Sequence, residues 1–367
     1  MSRYARECIL SRKDYIPGKP IEEVQKEFGI TDIIKMASNE NPMGTSPKAV
    51  EAMVNEVRTN SHLYPVSLCT ALLEKLALKH GVNQNQIYID NGGDAVITMY
   101  GLTFFNPDDE IVTGETTFPA YENITTKMGA KLIKVPLTKN GYFDLKTMLS
   151  KVTDKTKTVF ICSPNNPTGA LTPKKDLLEF LEKVPSSTLV FLDEAYIDFA
   201  SGNDVVKSIE LQKKYSNLVV MRTFSKVYGL AGARCGYLIA DSEIVRMMMK
   251  AREPFPVNRF AQVGAIACLD DSEFYEKTLS NNAEARKYYY AEFDRMGLKY
   301  YESQSNFICV DVKKDSEAVF NRMLRDGVII RPLKSQGLPT CERITFGLPE
   351  ENRRTIASLE NALKEIK

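Results

Sequence analysis

The sequence predicts an α/β protein with a large domain built on a mostly parallel sheet, followed by a smaller α+β domain. Three observations carry this expectation. From about residue 86 the chain alternates short β-rich apolar runs with helical stretches, the rhythm of parallel βα units covered on both faces. Beyond about residue 300 that rhythm gives way to three apolar runs and two helical patterns. The chain has 367 residues, 43% of them hydrophobic, which is enough apolar material for a large core plus a satellite.

In order, residues 1–36 carry P-G-K-P and one amphipathic stretch, IEEVQKEFG. They are too few to form a core alone, so they are expected to pack on the small domain or on a partner subunit. The large domain is assigned to 37–270, with strands at 86–90, 110–114, 131–136, 158–163, 189–194, 217–223 and 236–240. Helices such as DAVITMYGLTFF and KKDLLEFLEKV lie between them. The longest helical pattern, EFYEKTLSNNAEARKYYYAEFDRMG, leaves room for one break. The small domain, 271–367, then reads NFICVDV, a helix at 315–325, GVIIRPL, RITFGL and a final amphipathic helix from Glu350.

Composition narrows the function classes. Lys plus Arg is 48 against 47 for Asp plus Glu, so no net field draws the chain to nucleic acid or to an anionic membrane, and a small-molecule partner is expected. The seven cysteines are scattered, never C-x-x-C, and are expected to be reduced core thiols rather than disulfides or metal ligands. No apolar run suits a leader or a membrane span, which predicts a soluble cytoplasmic protein. With only His62 and His80, acid–base chemistry falls to lysine, carboxylate or a cofactor, and no metal is expected.

Four constellations carry chemistry. In T-F-S-K-x-x-G-L-A-G-x-R, after the strand NLVVMR, the hydroxyls of Thr223 and Ser225 with Lys226 and Arg234 can converge on one phosphate and one aldehyde. Asp193 ends the buried run LVFLDE, where a carboxylate is costly without a cation. A protonated pyridine nitrogen is such a cation, and it makes the ring an electron sink. Tyr196, three residues on, can donate to that ring's phenolate oxygen. In S-P-N-N-P-T-G the prolines and glycine force a turn that aims the Asn166 amide over the sheet. In N-G-G-D, between a strand and a helix, Gly92, Gly93 and Asp94 would offer backbone N–H groups to a phosphate. Taken singly, Lys226 reads as a solvated loop lysine, while Asp193 has a second reading as a helix cap and the turn as only a turn. Together they follow strands whose carboxyl ends form one ligand-binding edge, and they point to pyridoxal 5′-phosphate on Lys226.

The chain resembles fold type I, aspartate-aminotransferase-like enzymes, and among them the histidinol-phosphate aminotransferase family. The resemblance runs through Y-x-P-G-K-P (15–20), A-S-N-E-N-P (37–42), Tyr64-Pro65, T-F-P-A-Y, S-P-N-N-P-T-G, D-E-A-Y, R-T-F-S-K, P-F-P-V-N, S-N-F-I, G-V-I-I-R-P-L and R-I-T-F-G. It implies Lys226 as Schiff-base lysine and Asp193 as partner of the ring nitrogen. Asn166 and Tyr196 would meet the phenolate oxygen, and Phe118 would stack on the ring. Gly93, Asp94, Thr223, Ser225 and Arg234 would hold the cofactor phosphate. Tyr64 would reach it from the neighbouring subunit, making a homodimer with shared sites. Arg331 and Arg343 would grip the anionic end of the substrate, with Tyr15 and Asn39 in the pocket.

Three positions depart from the family pattern: Gly93-Asp94-Ala95 for S-D-E, Val66-Ser67 after Tyr64-Pro65, and Pro256 within P-F-P-V-N. The resemblance implies transfer of the amino group of L-histidinol phosphate to 2-oxoglutarate. An aromatic amino-acid aminotransferase and a phosphothreonine decarboxylase are the alternatives on the same scaffold.

Overall fold

In a computed structural model, residues 4–10 and 19–366 are described. Thirteen strands form three sheets among these residues. A short strand β1 (Ile34–Lys35) precedes the strands of the large sheet, β2 (Ile87–Asp90), β3 (Glu110–Gly114), β4 (Lys131–Val135), β5 (Thr156–Cys162), β6 (Leu189–Asp193), β7 (Leu218–Thr223) and β8 (Gly236–Ile239). Their order is β2-β8-β7-β6-β5-β3-β4. The β4-β3-β5-β6-β7 pairs are parallel, and β8 runs antiparallel to both β7 and β2. The run at 236–240 is therefore the one reversed strand, and β2 points the same way as the parallel five. Central strands such as β5 and β6 are nearly continuous apolar runs because helices cover both of their faces. Tyr100, Phe160 and Phe191 lie fully buried against one another in that core.

The small sheet comprises β9 (Lys299–Tyr300), β10 (Phe307–Asp311), β12 (Arg331–Pro332) and β13 (Cys341–Thr345), antiparallel in the order β12-β13-β10-β9. The single run GVIIRPL is split. Its first half, β11 (Val328–Ile329), leaves that sheet to pair in parallel with β1, and its second half is β12. Helix Ile21–Phe28 packs beside that pair through Val24, against Leu324 and Ile329.

The long helix is unbroken from Ser272 to Met296. Asp271 caps it by accepting from the Phe274 N–H, Gly297 closes it at φ +63°, and Tyr289 and Phe293 bury in the second core. Asn281 and Asn282, midway along it, donate to the carbonyls of Gly347 and Ser305, so their side chains serve packing rather than a turn. Among the described residues no helix is long and apolar enough to cross a membrane. All seven cysteines are free thiols; six are buried and Cys8 is half-buried.

Candidate active site

The carboxyl ends of β2, β5, β6 and β7 open into a cavity of about 810 Å³, roofed by β12, β13 and the segment 37–40. Its lining includes Asn39, Gly93, Asp94, Phe118, Asn166, Asp193, Tyr196, Thr223, Ser225, Lys226, Arg234, Arg331 and Arg343. Four sequence motifs spread over more than a hundred residues thus meet at one edge because parallel strands bring every βα turn to the same side.

The floor is the cofactor-sized end. Asp193 is 2% exposed, and burial pushes its carboxyl up to about 6. Hydrogen bonds oppose that rise. Tyr121 donates its hydroxyl to Oδ2 at 2.6 Å and the Ala195 N–H donates to Oδ1 at 3.0 Å. Lys226 lines the same cavity, with Nζ donating to the Ser38 carbonyl at 3.3 Å. Burial, and next the charge of Arg343, pull its ammonium down to about 8. The Tyr196 hydroxyl accepts from Asn39 Nδ2 at 3.0 Å, which leaves its own proton free to be donated into the cavity.

Beside the floor lies a cluster of donors. Helix Gly93–Phe104 opens after Gly92, whose φ of +87° suits glycine alone. A Cβ there would meet Arg234 Nη2 at 2.7 Å, and one on Gly236 would meet the Gly93 nitrogen at 2.8 Å, so backbone N–H groups and guanidinium crowd together. Thr223 Oγ1 sits 3.0 Å from Ser225 Oγ in the same corner. Arg234 Nη2 is 3.8 Å from Asp94, too long for a tight pair.

The far wall is cationic. Arg343 is held by Asn166 Oδ1, to which Nη1 donates at 2.6 Å, and by the Ala37 carbonyl, to which Nη2 donates at 2.5 Å. The antiparallel register sets Arg331 directly opposite Arg343, so both side chains leave the same face of the small sheet. Asn39, at φ +55°, is tied to β13 by its N–H to Thr345 Oγ1 and to Asn306 through its carbonyl. Phe118 lines the cavity with its ring edge-on to Tyr121 at 5.9 Å.

Two expected residues stand apart. Tyr64 is 80% exposed, stacked on Phe255 at 4.8 Å and absent from the cavity lining; Tyr15 lies outside the described residues. Reading the sequence missed the hydroxyl of Tyr121 and the carbonyls of Ala37 and Ser38. Tyr121 ends the quoted T-F-P-A-Y motif, but only its fully buried position shows that its hydroxyl needs a partner. The two carbonyls have no signature in a sequence.

A parallel-sheet floor with a buried acid, a lysine and a phosphate-sized nest defines the class of protein. Residues 31–359 match the model of the aminotransferase class I and II family, and the chain belongs to that family. It is 45% identical over 359 residues to the histidinol-phosphate aminotransferase of Moorella thermoacetica, covering 98% of this chain and 92% of that one. It is 41% identical over 358 residues to the enzyme of the same name from Bacillus subtilis, covering 98% and 99%. The crystal structure of histidinol-phosphate aminotransferase from Sinorhizobium meliloti in complex with pyridoxal-5′-phosphate superposes with a TM-score of 0.88 at 27% identity, over 98% and 97% of the two chains.

Proposed function

We propose that this protein is a pyridoxal-phosphate-dependent histidinol-phosphate aminotransferase that passes the amino group of L-histidinol phosphate to 2-oxoglutarate. The residues present fit the cofactor. Asp193 is a buried acid that lacks a cation, and the turn at Gly92, too tight for a Cβ, leaves bare N–H groups for a phosphate. In this reading Gly93, Asp94, Thr223, Ser225 and Arg234 hold the phosphate, Asp193 pairs with the ring nitrogen, Asn166 and Tyr196 reach the phenolate oxygen, and Phe118 covers the ring.

The observation that carries the substrate is the register of Arg331 against Arg343. Like charges directly opposite on neighbouring strands repel, and a doubly charged phosphate between two forked donors removes that cost. When bound, the cofactor supplies an aldehyde that carries the amino group and a ring that withdraws electrons from the attached carbon. Lys226, with its proton held loosely by burial and by Arg343, takes the proton from the amine-bearing carbon of the substrate as general base and returns one as general acid. Asp193 keeps a negative charge beneath the ring, Tyr196 holds a proton at the phenolate side, and the two arginines orient the substrate.

The chain divides, in this reading, into an arm at 1–36, a cofactor domain at 37–270 and a substrate domain at 271–367. A homodimer with shared sites is supported by an apolar surface of Val50, Val54, Val57, Leu63, Val66 and Phe255 around exposed Tyr64, which would reach the partner's phosphate site. Its free thiols, six of them buried, support a reducing compartment, the cytoplasm.

The test is a half-reaction on the yellow enzyme with histidinol phosphate, phenylalanine, tyrosine and phosphothreonine offered separately. Fastest bleaching by histidinol phosphate is expected. Faster bleaching by the aromatic amino acids, or carbon dioxide release from phosphothreonine, would overturn the assignment.

A further inference from the structure

Tyr121 reaches under the cavity rather than into it. Its ring is fully buried, stacked on Phe160 at 4.6 Å, and its hydroxyl donates to Asp193 Oδ2 at 2.6 Å. The other oxygen, Oδ1, takes the Ala195 N–H. A carboxylate at a strand end can turn about its own side-chain bonds, and these two donors, one to each oxygen, fix its plane. The lone pairs left over are the ones that can face a ring nitrogen. Tyr121 keeps its proton, because burial and the neighbouring Asp193 charge push its phenol far above the usual range.

We infer that Tyr121 is a positioning residue for the transamination: its phenol donates to Asp193, fixes the direction of that carboxylate and keeps negative charge beneath the cofactor ring. The inference rests on the function proposed above and goes one shell beyond it. The other groups that face Asp193 pull the opposite way or are neutral. Asp94 on helix Gly93–Phe104 and Glu194 on the chain after β6 disfavour its charge, while the Cys162 thiol on β5 and the Tyr196 phenol keep their protons. Among the described residues, Tyr121 is the side chain that hydrogen-bonds Asp193 and so favours its ionised form.

Removing the phenol makes Asp193 a stronger base. The proton it shares with the ring nitrogen then moves toward the carboxylate, the ring withdraws fewer electrons, and the Lys226 nitrogen bonded to the cofactor becomes more basic. The experiment is a pH titration of the visible absorption band of the holoprotein, with the cofactor dissociation constant measured in parallel by equilibrium dialysis. Tyr121→Phe, which keeps the ring and its stacking, is expected to move the midpoint up by about one unit and to weaken cofactor binding. Placing 3-fluorotyrosine at position 121, a more acidic donor, moves the midpoint down. Phe160→Leu loosens the packing under Tyr121 and lowers Tm, but leaves the midpoint where it was.

Equal midpoints in the wild type and Tyr121→Phe, or equal shifts from Tyr121→Phe and Phe160→Leu, would overturn the positioning role while the proposed function stands. A wild-type protein with no visible band on saturation with pyridoxal phosphate would overturn both.

Discussion

The two ends of the cavity are built on different principles. At the floor, Asp193 and the donors Tyr121 and Ala195 all belong to the large sheet and to the helix and turn that follow its strands, locked by a core in which Phe160 and Phe191 are wholly buried. At the roof, Arg343 comes from the small sheet and is steadied by Ala37, on the crossing segment, and by Asn166, beyond the end of β5 in the large sheet. The floor is thus set by the large sheet with its own helices and turns, and the roof by how the small sheet meets it. In the proposed reading, chemistry common to the whole cofactor class needs the first, and choice of substrate needs the second.

The largest effect should come from the floor. In the proposed reading Lys226→Ala removes both the cofactor attachment and the general base, so turnover should fall by more than about 1,000-fold with loss of the visible band; retention of either would break the assignment. Arg331 and Arg343, untouched in that variant, should still bind phosphate-bearing substrate.

Asp193→Asn should separate function from stability at one position. Turnover should fall about 100- to 1,000-fold. The sign for stability is opposite. The folded carboxyl lies at about 6, above its ordinary 3.8, so its contribution is fully present below about pH 4 and lost as pH rises through 6. The cofactor-free variant should therefore melt higher than the cofactor-free wild type above pH 6, with the difference closing on acidification. Scanning calorimetry on both forms checks this; a variant less stable at pH 8 would mean that Asp193 is satisfied without its cation.

At the roof the losses should be smaller and fall on binding. Arg343→Lys forfeits a forked contact, so KM for histidinol phosphate should rise about 10- to 100-fold while the visible band persists. A fall in kcat with unchanged KM would move Arg343 into the chemistry.

The smallest expected effect links the two ends. In the cofactor-free protein Lys226 titrates at about 8, with Arg343 the second cause of its depression after burial. Only the neutral amine attacks an aldehyde, so the rate of reconstitution with pyridoxal phosphate should rise with pH through about 8. Arg343→Gln removes a positive neighbour and should move that midpoint upward by a few tenths of a unit, on the order expected for one charge across a solvated cavity. No movement would mean that roof and floor are electrostatically independent.

By itself the sequence determined the strands of the large sheet, the edge at which the motifs gather and that Lys226, Asp193, Asn166 and Arg234 would line one cavity there. Strand periodicity and turn chemistry are local, and parallel topology sends every βα turn to one side. Tertiary structure alone decided that GVIIRPL would split between two sheets, that β8 would run backwards and that helix Ser272–Met296 would continue through its paired asparagines. It also decided that the hydroxyl of Tyr121 would find Asp193 and that Arg331 would face Arg343. These depend on which distant groups are left without water and must satisfy one another, and a hydrogen bond spanning 72 residues leaves no periodicity to read.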